Sequence, residues 1–120
     1  MSDFTKVRYT LAVLDLAKST DYYVSVLGLG IDFTAPGWTF LSRGSFRVML
    51  GECTDALAPA ELGDHSWYGY ATVSDASALF AEYRAAGAVF TQTLSDKPWG
   101  MREFGVRTID GHRIMFGQEL

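Results

Sequence analysis

PWGMREFGVRTIDGHRIMFG, residues 98–117, reads as two β-strands around a tight turn. The first strand is expected over residues 99–108. The turn centres on Asp110-Gly111, a favoured hairpin dipeptide because both residue types tolerate positive φ. The second strand is short and apolar, over residues 113–117. Its RIMFGQ has a near copy far upstream, RVMLGE, starting at Arg47 and ending at Glu52. That copy makes the hairpin one end of a repeated unit.

Outward from the copy, the two halves of the chain follow the same order. Residues 7–14, VRYTLAVL, alternate Val7, Tyr9, Leu11 and Val13 with Arg8, Thr10 and Ala12, as a half-buried strand does. Asp15 then suits a helix N-cap, because its carboxylate accepts the free amides of the first turn. The helix is expected to reach Leu27, with Leu16, Tyr23, Val26 and Leu27 on one face and Gly28 as its C-cap. Short strands follow over residues 31–34, 38–42 and 46–50, with Pro36-Gly37 turning the chain. The second half repeats this: a strand over 66–73, a helix capped by Ser74 or Asp75 and ended by Gly87, a strand over 89–93, a loop LSDKP, and the hairpin. Val13 and Asp15 match Val73 and Asp75, and Tyr23 matches Tyr83 at the same offset. Each half is β-α-β-β-β. Residues 1–53 form the first module and 66–120 the second. Residues 54–65 are a polar linker with a helical turn expected near Pro59. A duplicated unit of this kind packs about a pseudo-twofold axis, as one compact domain.

The totals fit one globular domain. Of 120 residues, 48% are hydrophobic and 14% aromatic, enough for a packed interior. The net charge of -4 disfavours non-specific nucleic-acid or membrane-surface binding. Cys53 is the only cysteine, so no intrachain disulfide forms, which fits a cytoplasmic protein. No apolar run reaches membrane-span length, and MSDFTKVRYT lacks the apolar core of a signal peptide.

This pattern resembles the vicinal oxygen chelate superfamily, which includes glyoxalase I, the bleomycin resistance proteins and the extradiol dioxygenases. LDLAKSTDYYVSVLGLGIDF is similar to its first strand-helix-strand. PWGMREFGVRTIDGHRIMF is most similar to the bleomycin resistance branch. The resemblance implies an α+β fold of two tandem βαβββ modules whose curved mixed sheets form a ligand-holding cup. It also implies a homodimer with binding sites at the subunit interface.

In metal-using relatives, one His, Gln or Glu on the first and last strand of each half points into the cup. The resemblance carries those positions to Arg8, Met49, Tyr68 and Met115. None suits a hard divalent ion, which needs carboxylate oxygen or imidazole nitrogen. His65 is a loop residue that a shift in alignment would bring toward a metal position. His112 is a turn residue. Cys53 lies beside Glu52, which disfavours its thiolate. No cofactor is expected.

Strand alternation then gives the cup its lining. Arg8, Thr10 and Ala12 share a face, as do Tyr68, Tyr70 and Thr72, Arg47 and Met49, and Arg113 and Met115. Trp38, Phe40 and Trp99 lie near the rim, suited to ligand stacking or to a dimer core. Glu103 shares a face with Trp99 and Met101, where it would hold a cationic ligand or pair with a neighbouring arginine. The expected site is therefore Arg8, Trp38, Phe40, Met49, Tyr68, Tyr70, Trp99, Met101, Glu103 and Met115. The function expected is sequestration of an amphipathic, aromatic or cationic small molecule, an antibiotic-resistance role. The rivals are a lyase or oxidoreductase with an atypical metal site, and a module whose cup is filled by its own side chains.

Overall fold

The computed structural model describes residues 2–63 and 66–120. The first half holds β1 (Tyr9–Val13), α1 (Leu16–Ser25), β2 (Gly30–Ala35), β3 (Trp38–Arg43) and β4 (Phe46–Glu52). The second holds β5 (Trp67–Thr72), α2 (Ala76–Ala85), β6 (Val89–Asp96), β7 (Met101–Arg107) and β8 (Arg113–Glu119). A 3-10 turn, Pro59–Leu62, lies between them. Each half makes one four-stranded mixed sheet, in the orders β1-β4-β3-β2 and β5-β8-β7-β6. In both, the helix carries the chain from an edge strand to the far edge, and the last strand returns parallel to the first. The duplication legible in RVMLGE and RIMFGQ is thus a duplication of topology: both are last strands, and both lie at the same place in their sheets.

The local signals act as their chemistry requires. Asp15 Oδ1 accepts the Lys18 amide at 3.1 Å and Asp75 Oδ1 the Ala78 amide at 3.0 Å. Each cap stabilises its helix by about 1 kcal/mol. The helix ends differ. Behind α2, Gly87 (φ +84°) lets its own amide reach Arg84 O and the Ala88 amide reach Tyr83 O, a tight left-handed stop. Behind α1 the turn is wider: the Leu27 amide bonds Tyr22 O and the Leu29 amide bonds Tyr23 O. The cap position falls on Val26, ahead of Gly28.

Two other expectations change. The β7–β8 turn is not a two-residue turn with two positive φ angles. Only Gly111 is left-handed (φ +91°), and the loop is closed by Thr108 N to His112 O at 2.8 Å and Gly111 N to Thr108 O at 2.9 Å. Strand β6 runs through LSD to Asp96, its irregularities absorbed by two register shifts against β7. Trp99 accordingly sits in the β6–β7 turn, not in a strand.

The two halves share one core. Leu11, Val13, Tyr23, Leu27, Leu41, Val48 and Leu50 from the first meet Ala76, Tyr83, Phe104, Val106, Ile114 and Phe116 from the second. Phe104 and Phe116 stack at 5.2 Å, and Phe46 meets Phe116 edge-on across the junction. Burying each such side chain stabilises the fold by ~1.5–3 kcal/mol. Polar links reinforce the seam: Tyr23 Oη and Tyr68 Oη are 3.1 Å apart, Tyr83 Oη donates to Leu27 O at 2.9 Å, and Arg43 pairs with Glu82 at 2.7 Å. Ser19 Oγ donates to the Asp110 carboxylate at 2.8 Å.

Among the described residues, these hydrogen bonds and ring contacts all lie on the helix-covered side of the sheets. Alternation then settles where the rest point. With Val48 and Leu50, and Ile114 and Phe116, turned into the shared core, Met49 and Met115 turn to the helix-free faces. The two methionines therefore do not line one cup within a single chain. Each sheet offers its own helix-free face, on opposite sides of the common core.

Candidate ligand-binding faces

The face of the second sheet is organised by Glu103 on β7. It is buried, at 6% exposure. Its Oε2 accepts the Tyr70 hydroxyl at 2.7 Å and the Trp99 indole N–H at 3.1 Å. Among the described residues none of its hydrogen bonds comes from an arginine or lysine, so the expected ion pair is not formed. Tyr70, on β5, reaches across β8 to make its bond. It can do so because residue 117, opposite Glu103 in the ladder, is glycine. A Cβ there would lie 2.6 Å from Tyr70 Cζ and against the hydroxyl itself. Burial and the bond to Glu103 push the Tyr70 phenol well above its ordinary pKa, so it stays a donor. Met115 is nearly buried beside it, its Sδ lying 2.7 Å from where a Cβ on Gly105 would be. Met101 is half-buried. Trp99 is 66% exposed, so one face of this ring cluster is open.

The first sheet repeats the device with other residues. Gly51, the counterpart of Gly117, lies under Trp38, whose Cη2 would be 2.7 Å from a Cβ there. Phe40 is half-buried beside Phe33, 5.6 Å ring to ring, and opposite Met49. The Arg8 guanidinium lies 5.4 Å over the Phe40 ring. It donates to Leu41 O and Val48 O and to Asp32 Oδ2 at 3.1 Å, while Ser42 holds Asp32 Oδ1 at 2.9 Å. The Ser42 hydrogen bond, and then Arg8, hold the Asp32 carboxyl below its usual pKa. Arg8 is thus a committed part of this face. The glycines at 51 and 117, Asp32 and Ser42 escaped the sequence reading. The signal was present for the glycines, since both repeat copies carry one at the same strand position.

Tyr68 is the expected lining residue that the structure places elsewhere. On β5, Trp67 pairs with Arg113 and Gly69 with Ile114, so Tyr68 is an extra residue on the strand. This bulge breaks the alternation that would have put Tyr68 beside Tyr70. Tyr68 turns into the seam between halves, bonded to Tyr23 and edge-on to Tyr9 at 5.9 Å. Arg113, on the face of Met115, ties the chain between the halves by donating to Gly63 O at 2.8 Å. His112 also faces the seam, perpendicular to the Tyr68 ring at 6.0 Å. Its Nδ1 is sealed from solvent without a hydrogen-bond partner, and burial lowers its pKa. His65 lies outside the described residues. Cys53 is half-buried and its amide continues the β1 edge through Val13 O at 2.8 Å.

A cleft of about 610 Å³ lies between the halves, beside α2. Tyr9, Phe46, Leu79, Ile114 and Phe116 line it. Its charged groups are already engaged, Arg43 with Glu82 and Asp75 with the Ala78 amide. Tyr70 also lines it, so the cleft adjoins the ring cluster of the second sheet.

The residues do not fit a metal centre of the kind the fold family uses. The strand positions concerned hold Arg8, Met49, Tyr68 and Met115, two of them thioethers, one a cation and one a phenol buried in the seam. Among the described residues no three His, Cys, Asp or Glu side chains come together to hold an ion. Nor is any helix among them long and apolar enough to cross a membrane.

Two paired βαβββ units with exposed, ring-bearing sheet faces define a small-molecule-binding scaffold of a known kind. The sequence profile of the Glyoxalase/Bleomycin resistance protein/Dioxygenase superfamily matches residues 6–116, and the chain belongs to that superfamily. Among solved structures, TioX from Micromonospora sp. ML1 is similar, with 29% identity over 98% of this chain and 100% of its own, at a TM-score of 0.81. The bleomycin-binding protein of bleomycin-producing Streptomyces verticillus, solved with copper(II)-bleomycin, shares the fold at 24% identity over 97% of both chains and a TM-score of 0.75. So does the bleomycin resistance determinant encoded on transposon Tn5, at 20% identity over 97% of this chain and 98% of its own, with a TM-score of 0.79. No curated protein matches the sequence.

Proposed function

We propose that this protein is a metal-free binding protein of the bleomycin resistance type, cytoplasmic and homodimeric. It sequesters an amphipathic, aromatic or cationic small molecule without making or breaking a bond in it. The modules at 1–53 and 66–120, with 54–65 as linker, act as one compact domain. The cup is assembled from two copies, the β1–β4 face of one chain opposing the β5–β8 face of the other. One observation carries this reading: aromatic side chains are laid on both helix-free faces, over Gly51 and Gly117, while the shared core holds those faces apart within one chain. Ring platforms of this kind take a planar ligand by stacking, and two opposed platforms sandwich it. The arrangement also supports dimerisation, because an open sheet face bearing Trp38, Phe33 and Phe40 is a large apolar surface for a lone chain. Arg8, Trp38, Phe40 and Met49 supply one wall, and Tyr70, Trp99, Met101, Glu103 and Met115 the other. A similar protein binds copper(II)-bleomycin, which is a precedent for a large amphipathic guest in this fold.

The test is a thermal-shift screen of bleomycin and a panel of planar aromatic compounds, alongside metal analysis of the purified protein. A guest that binds only the native state raises Tm by mass action. Binding without stoichiometric metal supports the reading. An absence of any shift across the panel, or catalytic turnover that tracks a bound divalent ion, contradicts it.

A further inference from the structure

Glu103 is a buried carboxylate that the protein solvates with neutral donors only. Tyr70 and Trp99 both donate to Oε2. Oε1 takes no hydrogen bond among the described residues. It is not sealed either, since the one sealed and unpartnered side-chain nitrogen or oxygen among them is His112 Nδ1. An ionised carboxylate at 6% exposure is costly unless its charge is met. Two neutral hydrogen bonds meet half of it. The other oxygen remains available from the face on which Trp99 lies open.

Resting on the reading of this face as a ligand wall, we propose that Glu103 seats a protonated amine of the bound molecule. The ammonium donates to Oε1 while its charge lies against the Trp99 and Tyr70 rings. The number of free acceptors decides the class of cation. A guanidinium or amidinium forks across both oxygens of a carboxylate, but here Oε2 already accepts two donors. A compact ammonium needs only one oxygen. Tyr70 and Trp99 have a double role, because the bonds that fix the carboxylate rotamer also set their rings beside the incoming charge. Gly117 makes the arrangement possible by leaving the Tyr70 ring its place on the sheet.

A matched pair of probes tests this: 2-naphthylmethylammonium and the neutral 2-naphthylmethanol, titrated by calorimetry at low salt. The wild-type protein is expected to prefer the ammonium by about tenfold or more. Glu103→Gln is expected to bring the two probes to equal affinity, and Asp21→Asn, an exposed change on α1, to keep the preference. Because Glu103→Gln removes a buried charge and could alter folding, the Glu103 carboxyl ¹³C resonance of the wild-type protein gives a second reading. It is expected to move on adding the ammonium and to stay still on adding the alcohol. Equal binding of both probes by the wild-type protein, or an unmoved Glu103 resonance, overturns the amine site and leaves the aromatic-binding reading standing. Failure of both probes to bind overturns the face as a ligand wall, and the amine site with it.

Discussion

The Tyr70 hydroxyl reaches Glu103 because residue 117 has no side chain. The two partners sit on strands that do not pair, with β8 between them, and the phenol ring crosses β8 over Gly117. Gly51 and Trp38 repeat the relationship in the other half. Duplication kept the glycine, and each sheet found its own ring to lay on it.

Gly117→Ala is therefore expected to expel the Tyr70 ring from the sheet. Tyr70 is 44% exposed, so it has room to swing outward, and the backbone need not move. The loss is the hydrogen bond to a carboxylate, about 1.5–3 kcal/mol. Urea unfolding checks the size, with an unchanged m-value showing that the fold is retained. Gly51→Ala is expected to displace Trp38 in the same way and to weaken binding of planar aromatic guests. Stability and guest affinity unaltered in both variants would mean that the rings do not depend on the glycines.

The seam between halves has a testable coupling at one carbonyl. Leu27 O accepts both Tyr83 Oη at 2.9 Å and Arg43 Nη1 at 3.0 Å. Tyr83→Phe removes the buried donor and is expected to cost about 1 kcal/mol. Arg43 and its partner Glu82 are both substantially exposed, so Arg43→Gln is expected to cost less, under about 1 kcal/mol. The double variant is expected to lose more than the sum, since Leu27 O then keeps no donor from across the seam. Strict additivity in a double-mutant cycle would show that the two bonds act independently.

Acid sensitivity is expected in two separate windows. Burial lowers the His112 pKa below 6.5, and the nearby Asp110 opposes that shift without cancelling it. The folded protein thus holds His112 neutral while the unfolded chain takes up a proton near pH 6.5. The stability this contributes is full above that pH and is lost as the pH falls toward the folded-state pKa. Glu82 and Asp96 are held below their usual pKa by hydrogen bonds from Arg43 and Arg102, and Asp32 by Ser42 and Arg8. Their contributions disappear only at lower pH, as each carboxylate protonates. Thermal unfolding of His112→Phe is expected to flatten the slope between about pH 7 and pH 5 and to leave the drop below about pH 4. The comparison separates His112 from His65, which both proteins retain. An unchanged slope would show that His112 is not the group responsible.

The fold was legible because its signals are local and occur twice. Asp15 and Asp75 cap helices, Tyr23 and Tyr83 anchor them, and the RVMLGE and RIMFGQ strands end each sheet. Alternation alone put Met101 and Glu103 on one face of β7, and Trp99 reaches the same carboxylate from a turn instead of a strand. What alternation could not show was the bulge that turns Tyr68 into the seam, because one extra residue on a strand leaves no mark in composition. Nor could it show which faces the halves share. Both faces of β8 carry apolar residues, Ile114 and Phe116 on one and Met115 on the other. Only the packing of Phe104, Phe116 and Tyr83 against Val48 and Leu50 assigns the core. That assignment turns Met49 and Met115 onto different faces, in keeping with the proposed cup between two chains.

Complementation between two damaged chains tests that central claim most directly. Trp38→Ala damages the β1–β4 wall and Trp99→Ala the β5–β8 wall, so a dimer of either variant has both cups impaired. In a mixed dimer made by co-refolding, one cup takes both lesions and the other takes none. Titration of the mixture with a planar aromatic guest is expected to recover wild-type affinity in roughly a quarter of the sites, if subunits assort randomly into symmetric dimers. Recovery of no high-affinity sites, with subunit exchange confirmed by mass, would contradict a cup built from two chains.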